Sequence, residues 1–373
     1  MKFGLLYELQ TPRPWTERSE YETYHNALAQ IKLADAIGID YVWEVEHHFL
    51  AEYSHSPAPE VFLAAVSQHT TRIRIGHGVC LLPKNFNHPV RIAERIAALD
   101  ILSNGRVDFG CGRSSTEYEI GGFEVDPAES RPQLLEAMEM IPKMWMSEVF
   151  RWEGKYYNIP PREVIPKPLQ KPHPPMWMAC TQDDSFLLAG QKGIGALAFD
   201  FKTPHTIKPK IDMYKAAIQD PEPVGALVNN HFAACSITMC LEDETEAVTV
   251  GQPGALYFLR KLRDIFRPWK GQVVPGYEYY SDPERVAELI TQGQEAKALA
   301  LALEAQDLEK ARSLTRQGGS LIGTPAQCIE RIHAYREAGA DQLILVMQLG
   351  HVPHEKIMQS LRILGDKVLP HCR

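Results

Sequence analysis

Residues 41–50 read Tyr41-Val42-Trp43-Glu44-Val45-Glu46-His47-His48-Phe49-Leu50. Tyr41, Val42, Trp43 and Val45 have the aromatic and β-branched character of a strand. The strand then runs out into Glu46, His47 and His48. In parallel α/β sheets and barrels, ligands collect at the carboxyl ends of the strands, so a tip carrying a carboxylate and two imidazoles is a candidate site. Successive strand side chains point to opposite faces. One of the two histidines is therefore expected to face a pocket and the other to be a structural hydrogen-bonding group; the pattern does not distinguish them.

Outward from this stretch, the chain alternates. Lys2–Leu9 reads as a first strand, followed by a helix to Ile37 that Gly38 closes. After Tyr41–Glu46 come a helix from about Pro59, a nearly continuous apolar strand at Ile73–Leu82 of the kind buried on both faces, and a helix opened by Pro89. Val107–Cys111 is the fourth strand and Pro132–Met146 the next helix. A Pro-rich excursion at Val149–Pro175 contains a small hairpin about Glu153-Gly154. Met176–Cys180, Gly195–Phe199, Asn230–Met239 and Gln342–Met347 follow as strands five to eight, with helices between and after them. Eight strands alternating with helices predict a (β/α)8 TIM barrel, α/β in class and single-domain over residues 1–373. Residues 241–322, after the seventh strand, are too long for an ordinary connection. They are expected to form an insertion on the catalytic face, either a mobile lid that excludes water or a dimer-contact excursion.

Composition narrows the function classes. The 373 residues carry a net charge of −8 with no basic block, which excludes a nucleic-acid partner on electrostatic grounds. Seven scattered cysteines without C-x-x-C fit reduced thiols in the cytoplasm. No stretch is long enough to cross a bilayer, and the first residues read as a strand rather than a secretory signal. No metal site is expected, since neither H-x-x-x-H on a helix nor H-x-H on a strand occurs.

Two further pieces bear on chemistry. Phe109-Gly110-Cys111-Gly112-Arg113-Ser114 is a glycine-rich strand tip with a fixed positive charge suited to phosphate. Thr181-Gln182-Asp183-Asp184-Ser185 leads from the fifth strand into a helix, whose free amides are a natural phosphate seat. Asp183 and Asp184 are equally at home there as caps. Together Arg113 and this turn point to a cofactor with a phosphate tail. Tyr7, Trp43, Phe49 and Tyr53 lie near strand tips and are expected to line an apolar substrate pocket, the competing reading being that they are core. His88, before Pro89, reads as a turn or capping residue, and His55 as a residue within reach of the pocket mouth.

Taken as a set, these motifs resemble the bacterial luciferase-like, flavin-dependent monooxygenases. The matching pieces are E-H-H-F at Glu46–Phe49, I-G-H-G-V-C-L-L-P at Ile75–Pro83, N-H-P at Asn87–Pro89 and L-D-I-L-S-N-G-R at Leu99–Arg106. F-G-C-G-R at Phe109–Arg113, the Pro166–Pro175 run and G-T-P-A-Q at Gly323–Gln327 complete the set. The resemblance implies a TIM barrel that takes FMN as FMNH2 from a separate flavin reductase. Reaction with O2 gives a C4a-hydroperoxyflavin, which oxygenates a small-molecule organic substrate. It also implies a homodimer. His47 matches the catalytic histidine, Arg113, Thr181 and Ser185 the phosphate-binding positions, and Gly78-Val79 the place of a non-proline cis peptide under the flavin. Gly112 stands where light-emitting members carry a cysteine, Cys111 being displaced by one. The alternatives are an F420-dependent hydride-transfer enzyme, a non-catalytic flavin-binding barrel, and a sugar-hydrolysing barrel using strand-tip carboxylates such as Glu8, Glu46 and Asp200.

Overall fold

The computed structural model describes residues 1–266, 274–278 and 282–373. Eight parallel strands close into a barrel: β1 (Lys2–Tyr7), β2 (Tyr41–Glu44), β3 (Arg74–His77), β4 (Val107–Gly112), β5 (Met176–Cys180), β6 (Gly195–Ala198), β7 (Phe232–Cys240) and β8 (Gln342–Val346). Each strand pairs with its sequence neighbours, and β8 returns to pair with β1, where Lys2 lies opposite Gln342 and Leu6 opposite Val346. A helix follows every strand and packs on the outside of the wall, so the strands read as near-continuous apolar runs. The expected TIM barrel is therefore the observed fold.

Trp43 shows how sequence sets the interior. It stands opposite Leu6 on β1 and Gly76 on β3, and it is fully buried. A Cβ at Gly76 would come within 2.2 Å of the indole. Only glycine at that place lets the ring lie across β3 and fill the barrel.

The differences from the expected elements are local and have identifiable causes. β1 stops at Tyr7 because Leu9 turns out of the extended region at φ 49°. The strand expected at Ile73–Leu82 is split. β3 ends at His77, the Gly78–Val79 peptide is cis, and Cys80–Leu81 then pairs with Cys111–Gly112 of β4. The helix expected from Pro132 begins at Pro127, where the Asp126 carboxylate accepts from the Ala128 amide at 3.0 Å and caps it. The hairpin forms between Phe150–Glu153 and Asn158–Arg162. A short helix at Glu117–Gly122, capped by Thr116, has no counterpart in the sequence reading.

Of the long segment after β7, the structure describes helices at Glu244–Phe266, Pro283–Glu304 and Leu308–Gln317. Its end, Leu321–Gly323, pairs in parallel with Thr238–Cys240 and so extends the barrel sheet. Residues 267–273 and 279–281 of the expected lid lie outside the described residues. No helix among the described residues is long and apolar enough to cross a membrane.

Candidate active site

The carboxyl ends of the strands surround a cavity of about 490 Å³. Its floor and walls are apolar: Leu6, Trp43, Val45, Val79, Met178 and Leu197 come from five different barrel segments. Its two ends differ in chemistry.

At the deep end lies His47. The residues after β2 turn His47 toward the cavity and His48 away from it. His48 packs among Phe49, Phe86 and Phe123, with Nε2 3.3 Å from Glu46 Oε1. Glu46 is the tie beneath this turn. Its Oε2 accepts from the Leu81 amide at 2.8 Å, and its Oε1 accepts from the Asn87 side-chain amide at 2.8 Å. The carboxylate thereby joins the end of β2 to the segment after the cis peptide and to the Asn87-His88-Pro89 turn. His88 itself caps the helix it precedes, its ring nitrogen accepting from the Val90 amide.

His47 sits between two buried carboxyl groups. Its Nδ1 is 2.9 Å from Glu119 Oε1, and its Nε2 is 3.7 Å from Glu8 Oε2. Glu119 comes from the unforeseen helix at Glu117–Gly122 and is fully buried. It accepts from the Ser114 hydroxyl at 2.6 Å, the Thr116 hydroxyl at 2.8 Å and the His48 amide at 3.0 Å. Burial alone would raise its pKa, but the His47 charge and these donors hold it below the ordinary carboxylate value. Glu8 Oε1 accepts from the Tyr53 hydroxyl at 3.0 Å, and burial pushes the carboxyl up to about 7 against the pull of His47. For His47 burial works downward, but Glu119, Glu8 and Glu46 outweigh it and lift the imidazole to about 9. At neutral pH the ring carries both protons, with Nδ1–H donating to Glu119.

The outer end carries two arginines, with Asp184 and Glu278 also in its lining. Arg113 follows β4, Arg131 lies on the helix at Pro127–Met146, and Thr181 and Gln182 precede the N-terminus of the helix at Asp183–Gln191. Arg113 donates to the Ser130 hydroxyl at 3.1 Å and to the Gly276 carbonyl at 2.7 Å, and its guanidinium lies 4.1 Å over the Tyr277 ring. Arg131 is paired with Asp184. The Ser185 hydroxyl accepts from the Thr181 and Gln182 amides, both at 3.1 Å, and donates to the Gln182 carbonyl. It closes the helix cap and is spent within the turn.

Of the residues expected at the site, His47, Gly78, Val79, Arg113, Thr181, Ser185, Trp43 and Tyr53 line this one cavity. Tyr7 and Phe49 do not. Tyr7 points out of the barrel wall to Gln30, at 3.1 Å, because it alternates with Leu6, which faces inward. Phe49 is 62 % exposed and lies against Gly122 and Phe123. His55 is engaged by Glu20 and the Ala51 carbonyl. Gly112 borders the cavity while Cys111 is sealed in the wall, its thiol donating to the Trp177 carbonyl. The residues that sequence reasoning missed are Glu119, Arg131 and Tyr277. Thr116-x-x-Glu119 is a capping-box spacing and was a signal for the first of them.

The lining of this cavity has the chemistry that suits a phosphate-tailed flat ring. An arginine pair and a helix N-terminus suit a phosphate. Val79, beside the cis bond, and Gly112, whose Cβ would meet Val79 at 2.5 Å, leave a smooth wall for a ring.

Comparison with known proteins decides the family. A family model for luciferase-like monooxygenases matches residues 1–342. The chain belongs to the luciferase-like monooxygenases. It is 30% identical over 195 residues to the oxygenase component of a flavin-dependent trigonelline monooxygenase from Acinetobacter baylyi, covering 52% of each chain. It is 32% identical over 168 residues to an F420-dependent glucose-6-phosphate dehydrogenase from Amycolatopsis mediterranei, covering 43% of this chain and 49% of that one. Among solved structures, the monooxygenase RslO1 from Streptomyces bottropensis superposes with a TM-score of 0.78 at 26% identity, over 100% of this chain and 99% of that one. Luciferase-like relatives thus include both flavin monooxygenases and F420-dependent enzymes.

Proposed function

We propose that this chain is the oxygenase of a two-component monooxygenase, which takes FMNH2 from a separate reductase and uses O2 to oxygenate a small apolar organic substrate. The observation that carries the reading is the division of one cavity into an end bearing Arg113, Arg131 and a helix N-terminus and an apolar end that stops at His47. Arg113, Arg131, Thr181 and the amides at the start of the helix at Asp183–Gln191 would hold the phosphate, and Val79 and Gly112 would border the ring. The likeness to an oxygenase component in Acinetobacter baylyi supports an external source of reduced flavin. When bound, reduced FMN supplies two electrons with which O2 is divided between product and water.

The chain's own contribution is at the other end. Val45, Tyr53, Leu197 and Phe199 give an apolar lining that excludes water from the reacting atoms. His47 presents Nε2 to the cavity while Glu119 fixes the ring through Nδ1. With its proton held at neutral pH, His47 acts as a proton donor to oxygen that gains negative charge in the cavity. The loop at 274–278, lying over Arg113, belongs to a lid that covers the arginine-bearing end. Its place in the insertion, residues 241–322, supports this reading, and the molecule works as a homodimer in the cytoplasm.

The test is anaerobic titration of the protein with FMNH2 and, separately, with reduced F420, followed by mixing with oxygenated buffer in a stopped-flow spectrophotometer. Binding of FMNH2, with oxidation kinetics distinct from free flavin and altered in His47→Gln, is the expected result. Binding of reduced F420 alone would transfer the site to hydride chemistry, for which the Amycolatopsis mediterranei relative is the precedent.

A further inference from the structure

The placement of Glu8 is unusual. It follows β1 and borders the cavity, but only 1 % of it is exposed. Its Oε1 is held by the Tyr53 hydroxyl, whereas Oε2 is sealed from solvent without a hydrogen-bond partner. A carboxyl oxygen left so is costly unless a charge nearby compensates it. The group it faces is His47 Nε2 at 3.7 Å, a distance too long for a hydrogen bond but within strong Coulombic reach. Because Oε2 is sealed, no substrate reaches it directly. Whatever Glu8 does for a reaction in the cavity, it does through the imidazole.

We propose that Glu8 is a positioning residue for proton transfer: acting through His47, it holds the imidazole in its doubly protonated form, so that His47 meets the cavity as an acid and not as a base. Glu119 fixes which nitrogen faces the cavity, and Glu8 fixes what that nitrogen carries. His47 faces Glu119 from the helix at Glu117–Gly122, Glu8 from the end of β1, and Glu46 from its own turn. Glu8 faces His47, the Tyr53 hydroxyl, Glu119, Glu44 of β2 and the Cys235 thiol of β7. Burial favours the uncharged form of the Glu44 carboxyl and the Cys235 thiol. Glu119 is spent on its own four donors. Glu8 is thus the buried acid whose charge is free to change while facing Nε2. Below neutrality it holds a proton of its own, and above neutrality it pairs with the imidazolium.

The inference rests on His47 being the proton-handling group of the proposed function, but its test needs no cofactor. Long-range ¹H–¹⁵N spectra of the histidine rings are recorded across pH on the ligand-free protein, with His47 assigned by its loss in His47→Gln. The wild-type ring is expected to keep both protons through neutral pH and to titrate near 9. In Glu8→Gln the midpoint is expected to fall by about one pH unit or more, the effect of removing an opposite charge within 4–6 Å, while the Nδ1 signal stays hydrogen-bonded. An unchanged midpoint in folded Glu8→Gln overturns the proposal, because a merely structural carboxyl would leave the titration where it was. If that variant does not fold, infrared difference titration of the wild type decides. Loss of a buried carboxyl band with a midpoint near 7 supports the proposal, and absence of any such carboxyl between about pH 6 and 8 overturns it. A protein that passes this test and yet fails to bind FMNH2 would sink the cofactor reading and leave the Glu8–His47 pair standing.

Discussion

The two ends of the cavity are built on opposite principles. At the deep end the polar groups answer one another: Glu119 accepts from Ser114, Thr116, His48 and His47 at once. The hydrogen bonding around Glu119 is complete, whereas Glu8 Oε2 beside it has no donor and faces the imidazole alone. At the outer end the cations are answered by substitutes. Arg113 is held by the Gly276 carbonyl and the Ser130 hydroxyl, and Arg131 by Asp184; in the proposed function a phosphate would take over contacts that the protein now makes with itself. A site that performs proton chemistry gains from a fixed donor, whereas a site that takes up and releases a cofactor each turnover gains from contacts of similar strength bound and free. The deep end should therefore govern rate and the outer end affinity.

The two largest effects that would break this division lie in Arg113→Ala and His47→Gln. Charge-assisted hydrogen bonds contribute about 1.5–3 kcal/mol, so the Kd for FMN is expected to rise about tenfold to a hundredfold. Isothermal titration with oxidised FMN measures it. His47→Gln should bind FMN nearly as the parent does and lose about a hundredfold or more in turnover. If Arg113→Ala binds as well as the parent, the arginine-bearing end is not the phosphate seat.

How much of this was legible beforehand follows the same division. The barrel was, because alternating apolar strands and capped helices leave a periodic trace. The segments that meet at His47 were legible as motifs, and the structure gives their physical unity: Glu46 of E-H-H-F binds Leu81 of the glycine-histidine run and Asn87 of N-H-P. Glu119 was hidden because its helix is six residues long and its partner lies 72 positions away. Tyr277 was hidden because nothing local ties it to Arg113, 164 residues earlier by their numbers. Tyr7 and Phe49 were misplaced for one reason: composition marks an aromatic as buried or near a tip, but not which side of the wall it faces. The face of Tyr7 was settled by alternation with Leu6, and that of Phe49 by a turn with φ 63° that the sequence does not announce.

A second, smaller effect concerns stability. His47 titrates in the folded chain at about 9, above its ordinary value of about 6.5, so the folded state holds the proton more tightly. Its contribution is complete below pH 6.5 and is lost as pH rises through 9. Glu8 works in the same direction at lower pH, its contribution present below about 4.5 and lost as pH rises through about 7. His77 and His231, pushed by burial down to about 4, oppose it on the acid side. Above neutrality His47 stands without that opposition. The Tm is accordingly expected to fall between pH 7 and 9.5, and to fall less steeply in His47→Gln, as scanning calorimetry would show. An equal slope in both proteins would mean that the deep end is not the pre-formed, charge-paired unit described above.

The smallest effect sharpens the outer end. Gly276 lies at φ 80°, and a Cβ there would approach the Pro127 carbonyl at 2.9 Å. Gly276→Ala strains the loop whose carbonyl occupies Arg113, at a cost of about 1 kcal/mol. If that carbonyl is a stand-in for phosphate oxygen, weakening it frees the guanidinium, and FMN should associate faster by about fivefold. If instead the loop helps to form the phosphate seat, the same substitution slows association. Stopped-flow binding distinguishes the two by the sign of the change. Only the faster rate agrees with an outer end whose present contacts are there to be exchanged.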